Sequence, residues 1–133
     1  TMEALSGVRI TGSGVRCDIA VNREENKNAV AETDVIYTYS VTKNGEEKKY
    51  SSFIKLMKQL NGSAITRWNV KKPGGKPVVT ITLSFFENIR NKPETIRLYR
   101  YSDREYAVVR EGLPVNTVSA TWVKQLLADA DSF

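Results

Sequence analysis

Apolar side chains fall at every second position over much of this chain, and that period fits a half-buried strand. Val15, Cys17, Ile19 and Val21 alternate with Arg16, Asp18 and Ala20, and Val79, Ile81, Leu83 and Phe85 alternate with Thr80, Thr82, Ser84 and Phe86. Side chains two apart share a face of a strand, so each run has one clearly apolar face. Turn-forming residues separate the runs. Thr11-Gly12-Ser13-Gly14 joins residues 8–10 to 15–21 as a hairpin, and Asn44-Gly45 joins 35–43 to 46–50. Lys71-Lys72-Pro73-Gly74-Gly75-Lys76 separates strands at 64–70 and 77–86, and Ser102-Asp103-Arg104 joins 96–101 to 105–110. Gly112 and Pro114 precede a short strand at 115–118. Residues 22–34 are polar and aperiodic and read as a long loop, as do residues 88–93.

Two stretches carry a helical period. Phe53, Leu56, Met57 and Leu60 form one stripe, predicting a helix over 51–60. Ser51 or Ser52 is expected to cap it, and Gly62 to end it in the left-handed conformation. Trp122, Val123, Leu126, Leu127 and Ala130 form a second stripe behind a Ser119 cap, with Val118 and Val123 placed as a hydrophobic staple. The 133 residues, 41% hydrophobic and 26% charged, suit one globular domain with its own core. No apolar run approaches the roughly 20 residues of a spanning helix, and residues 2–5 do not read as a signal peptide. The expected fold is α+β: a mainly antiparallel sheet of about eight short strands with two helices packed on one face. Tyr37-Thr38-Tyr39-Ser40 recurs as Tyr99-Arg100-Tyr101-Ser102, a hint of two strand-rich halves that each fold a helix onto a shared sheet.

The chain has no histidine. Serine–histidine and cysteine–histidine triads and histidine zinc sites are therefore excluded. Cys17 is the sole cysteine, so no internal disulfide forms, and its alternating segment marks it as a small buried apolar residue. Ser52-Phe53-Ile54-Lys55 matches the serine-x-x-lysine pattern of acyl enzymes, but the companion Ser-Asp-Asn and Lys-Thr-Gly motifs are absent. Gly12-Ser13-Gly14 precedes a strand rather than a helix and reads as a turn, not a phosphate loop. Glu24-Glu25 and Glu46-Glu47 are neighbours on strand-like segments and point apart. No catalytic, metal or cofactor-binding residue is assigned, and the chain is expected not to be an enzyme.

Charge is uneven. Residues 43–76 carry Lys43, Lys48, Lys49, Lys55, Lys58, Arg67, Lys71, Lys72 and Lys76 against Glu46 and Glu47. Such a stretch suits a solvated surface or an acidic partner. In the last hairpin Arg97, Tyr99 and Tyr101 share a face of one strand, and Arg104, Tyr106 and Arg110 share a face of the next. Together with Lys71 and Lys72 they form the candidate binding surface. Tyrosines flanked by arginines on an open sheet can stack bases and neutralise phosphates, which makes a nucleic-acid-binding domain the alternative function. That alternative requires the basic stretch and the hairpin to share one side of the molecule.

From residue 79 to 130 the order of features resembles a known family. A Thr-rich strand, Val79-Thr80-Ile81-Thr82-Leu83, leads to Ile96-Arg97-Leu98-Tyr99-Arg100-Tyr101, then Tyr106-Ala107-Val108-Val109 with Gly112, then Val118-Ser119 and Val123-x-x-Leu126-Leu127. This resembles an uncharacterised bacterial extracytoplasmic domain found in lipoproteins and in accessory subunits of gliding-type ABC transporters. The sequence departs from it in showing no lipobox cysteine or membrane anchor. The resemblance carries over no catalytic residue. It implies a non-enzymatic binding or assembly module of the cell envelope, extracytoplasmic or membrane-anchored in the full-length protein, whose partner is another envelope protein.

Overall fold

Register turns the alternating runs into a core. In the computed structural model, which describes residues 4–25, 36–87 and 92–133, β1 (Leu5–Gly12) and β2 (Val15–Glu25) pair antiparallel with Val8 opposite Ile19 and Ile10 opposite Cys17. All four side chains are buried on one face, and the intervening Arg9, Arg16 and Asp18 are exposed on the other. The connecting turn needs glycine at its first position. Gly12 has φ 135°, and a Cβ there would lie 2.0 Å from the carbonyl oxygen of Val78. β3 (Tyr37–Lys43) and β4 (Glu46–Lys48) follow through Asn44 and Gly45, with φ of 50° and 84°, the backbone that a two-residue hairpin demands. The Asn44 side chain fixes this turn against β2, accepting from the Asp18 N–H at 2.8 Å and donating to the Arg16 carbonyl at 3.1 Å.

The helix α1 (Tyr50–Asn61) comes next, then β5 (Ile65–Arg67), β6 (Val79–Phe85), β7 (Glu94–Arg100), β8 (Glu105–Arg110), β9 (Asn116–Ser119) and α2 (Ala120–Ser132). Among the described residues the strands form one nine-stranded antiparallel sheet in the order β4-β3-β2-β1-β6-β7-β8-β9-β5. The fold is therefore α+β, with nine strands where about eight were expected. Four strands step outward from β1 and lead to α1, and four step outward from β6 and lead to α2. The two matched tetrapeptides do not occupy corresponding places: residues 37–40 open the third strand of the first run, whereas residues 99–100 end the second strand of the second.

Both helices bury their stripes against the same side of the sheet. Phe53, Leu56 and Met57 of α1, and Val123, Leu126 and Ala130 of α2, join Val8, Ile10, Ile19, Val41, Val79, Ile81 and Leu98 in one core. α2 starts against β8 and β9 and crosses to β2, while α1 packs on β3 and α2. Trp122 ties the helices together by donating its indole N–H to the Gln59 carbonyl at 2.9 Å. At the other end of α2, the buried Lys43 donates its ammonium to the main-chain oxygens of Asp131 (2.7 Å) and Phe133 (3.1 Å). A cation at a helix C-terminus satisfies carbonyls that have no partner within the helix.

Three local expectations change. The loop read from Asn22 is strand as far as Glu25, because Asn22, Arg23, Glu24 and Glu25 pair with Ser40, Tyr39, Thr38 and Tyr37. Their polarity follows from their surroundings: Asn22 and Glu24 are exposed on the open face, and inward-pointing Arg23 lies over the rings of Tyr37 (4.5 Å) and Phe86 (4.0 Å). The remainder of that loop and residues 88–91 lie outside the described residues. α1 begins at Tyr50 with Lys49 in the capping position and no side-chain cap, so Ser51 and Ser52 sit inside its first turn. Gly62 ends it at φ −87°, not in the left-handed region. Ser119 does cap α2, accepting from the Trp122 N–H at 3.1 Å.

Candidate functional site

The hairpin of β7 and β8 does not present its tyrosines on one surface. Its register sets Tyr99 opposite Ala107 and Arg100 opposite Tyr106. Arg97 and Tyr99 therefore point away from the helices, whereas Tyr106 and Arg110 point towards them. Tyr99 and Tyr106 are both buried, and Tyr106 belongs to the core. Lys72 lies over the Tyr99 ring, 5.4 Å from its centroid. Tyr101 is exposed beyond the end of β7, Arg104 is exposed in the turn, and Lys71 is exposed between β5 and β6. The eight residues thus divide between two faces of the sheet, the β7–β8 turn and the β5–β6 connection, which corrects the single aromatic and basic surface expected of them.

The basic stretch divides in the same way. Lys43 is sealed inside as the cap of α2. Arg67 donates its Nε–H to the Glu105 carboxylate at 3.1 Å. Lys55 and Lys58 are exposed on α1, on the helix side, while Lys72 covers Tyr99 on the opposite side. Ser52 and Lys55 border a shallow hollow with Asp129 and Ser132, and among the described residues no hydrogen bond joins them.

Glu105 organises the face away from the helices. Its carboxylate accepts from Thr66 (2.9 Å), Thr117 (3.0 Å), Ser102 (3.2 Å) and Arg67. The Thr66 hydroxyl, then that of Thr117 and the Arg67 guanidinium, hold its pKa below the ordinary carboxylate value. This knot joins β5 to β9 and reads as structural. Cys17 is fully buried, and burial pushes its thiol pKa up, which leaves it a poor nucleophile.

The helix side holds a different feature. Nine strands spaced about 4.8 Å apart make a sheet close to 40 Å wide, and two helices side by side cover about half of that. α2 starts on β8 and β9 and runs on towards β2, and the uncovered part lies beside its first turn, among residues of β6 to β9. The result is a cleft of about 320 Å³, within the size range of small-ligand sites. Its floor is Ile81 and Leu83 of β6, Ile96 and Leu98 of β7, Val108 of β8 and Val118 of β9. Leu60 and Trp122 wall it on the helix side, and Ile65 of β5, 38% exposed, closes the far edge. Leu83, Ile96 and Val108 are only half-buried although they face the core side.

Three polar side chains from neighbouring strands border this floor: Glu94 on β7, Arg110 on β8 and Asn116 on β9. An Arg110 nitrogen lies 4.0 Å from a Glu94 carboxylate oxygen, an ion pair longer than a hydrogen bond. Asn116 is buried, and its side-chain oxygen accepts from the Asn69 N–H at 3.2 Å. Of these cleft residues Arg110 alone stands out in the sequence, and for a different surface. The apolar ones read as strand and helix core, since alternation identifies an inward-facing side chain without telling whether a helix covers it. No family model, no curated protein and no solved structure matches this chain.

Proposed function

We propose that this chain is a non-enzymatic binding module that seats an apolar ligand in the cleft over β6 to β9. The observation that carries this reading is an aliphatic floor left half-open on the side of the sheet where the core lies. Apolar surface of that shape, bordered by a few polar groups, gains free energy when a ligand removes it from water. The polar groups are a carboxylate paired with a guanidinium, two amides and the Ser63 hydroxyl, a set without a nucleophile–base pair. The resemblance to an extracytoplasmic domain supports the cell envelope as the setting.

Trp122 in the cleft wall supplies the readout. The chain has two tryptophans, so Trp68→Phe leaves Trp122 as the only one. Titrating that variant with straight-chain alcohols from butanol to decanol is expected to change its fluorescence saturably. Affinity should rise about fourfold per methylene, the equivalent of about 0.8 kcal/mol, until the floor is covered. Placing Leu83→Gln on the floor should weaken every member of the series. A response that never saturates, or one that Leu83→Gln leaves intact, removes the cleft as the site. Oligonucleotides at physiological salt should give no response; saturable binding lost with Arg97→Ala would favour the nucleic-acid alternative instead.

A further inference from the structure

We infer that the cleft's ligand is an aliphatic monocarboxylate, its chain on the floor and its carboxylate held by Arg110 and Asn116. This rests on the cleft being the binding site and adds the chemistry of the head group. The polar residues are not scattered. Ile96 is paired with Arg110, and Val108 with Asn116, so both donors rise from the strand register that lays down the apolar floor. Arg110 points to the core side of β8 and borders the cleft with its side chain 39% exposed, so its donors stay open to a ligand there. Its partner among the described residues is Glu94 at 4.0 Å, and no hydrogen bond saturates it there. Glu94 is itself engaged in a further interaction.

Asn116 supplies the second donor. Its oxygen is fixed as an acceptor by the Asn69 N–H, which settles the orientation of the amide and leaves the NH₂ group as the end available for a ligand. That nitrogen makes no hydrogen bond among the described residues, and no buried side-chain nitrogen or oxygen there lacks a partner, so it is within reach of solvent. A charged fork and an amide NH₂ lining the same cleft from neighbouring strands suit the two oxygens of a carboxylate. Glu94 opposes a second anion only in part, because its carboxylate is already paired with Arg110 at 4.0 Å. The aliphatic side chains extending from this margin towards Trp122 set where the hydrocarbon lies.

The test compares decanoate, decanol and decyltrimethylammonium on the Trp68→Phe protein, all below their aggregation concentrations. Decanoate is expected to bind about tenfold tighter than decanol, and the ammonium compound weakest. Arg110→Gln should bring decanoate down to the affinity of decanol. Glu94→Gln removes the competing anion and should tighten decanoate, a comparison that decides the matter even where Arg110→Gln fails to fold by circular dichroism. Equal binding of decanoate and decanol, or decanoate weakened by Glu94→Gln, overturns the carboxylate inference while the apolar cleft stands. No saturable binding by any of the three overturns both.

Discussion

Glu105 shows how much one side chain decides on the face away from the helices. Four donors converge on its carboxylate, from Thr66 on β5, Thr117 on β9, Arg67 and Ser102. They favour the ionised form, so the folded pKa lies below the unfolded one. The stability this gives is fully present above the unfolded pKa and is lost as pH falls through the folded value. Glu105→Gln should therefore lower the melting temperature at about pH 7, and the gap to wild type should close below the ordinary carboxylate range near pH 4. A gap of unchanged size at about pH 3 would show that shape, not charge, is what the residue supplies. Nothing in the sequence marks this knot as a whole: Ser102 reaches Glu105 within the turn, but Thr117 joins them through the pairing of β8 with β9, and Thr66 only once β5 lies beside β9. Cys17 is legible for the opposite reason: its burial follows from local alternation alone. Lys43 reads in the sequence as part of the surface charge of its neighbourhood, yet its position on the inward face of β3 carries it under the end of α2.

Elements were legible where the signal was periodic and uncertain where it was a cap. Ser119 and Ser51 look alike in the sequence, each a serine ahead of an apolar stripe, but only Ser119 caps a helix. At α1 a tertiary contact moves the start: Tyr50 stacks on Tyr39 at 5.2 Å and meets Phe53 at 5.8 Å, drawing the helix past both serines. Ser119→Ala is accordingly expected to cost about 1 kcal/mol, and Ser51→Ala, exposed in the first turn, less than about 0.5 kcal/mol. Urea unfolding of the two variants beside wild type measures this directly, and equal losses would contradict the assigned helix starts. The β7–β8 hairpin was likewise recognisable as a hairpin, while the facing of its tyrosines was not. Each strand's alternation fixes which of its own residues share a side, but only the pairing of Arg100 with Tyr106 shows that Tyr99 and Tyr106 take opposite sides. The cleft lies one step further from the sequence still, since its floor is made of ordinary inward-facing residues and its opening of the path α2 takes.

At the scale of the whole molecule, the chain steps through four strands and a helix, adds the edge strand β5, and then steps through four more strands and a helix, an order that invites the idea of two independent halves. The packing opposes it. The central seam pairs β1 with β6, placing Val8 opposite Leu83 and Ile10 opposite Ile81. α2, from the second run, crosses to cover β2 of the first, and Lys43 of β3 holds its far end. The first run alone would leave the inward face of β2 without the helix that packs on it, and the second would lose the strand that its helix reaches beyond β8 and β9. A single cooperative unfolding transition follows, as is usual for domains under about 150 residues. In the Trp68→Phe protein, Trp122 fluorescence reports the junction of α1 and α2, while far-ultraviolet circular dichroism reports the whole nine-stranded sheet and both helices. The two urea curves should coincide, with one midpoint and one slope. Lys43→Met, which breaks the tie between the halves at a cost of about 1–3 kcal/mol, should move both midpoints together and keep them superimposed. Separate midpoints in the parent protein would mean that the halves are autonomous and that the β1–β6 seam is an interface between two folding units. Coincident curves that split only in Lys43→Met would place the coupling in the α2 cap itself and leave the seam too weak to carry it.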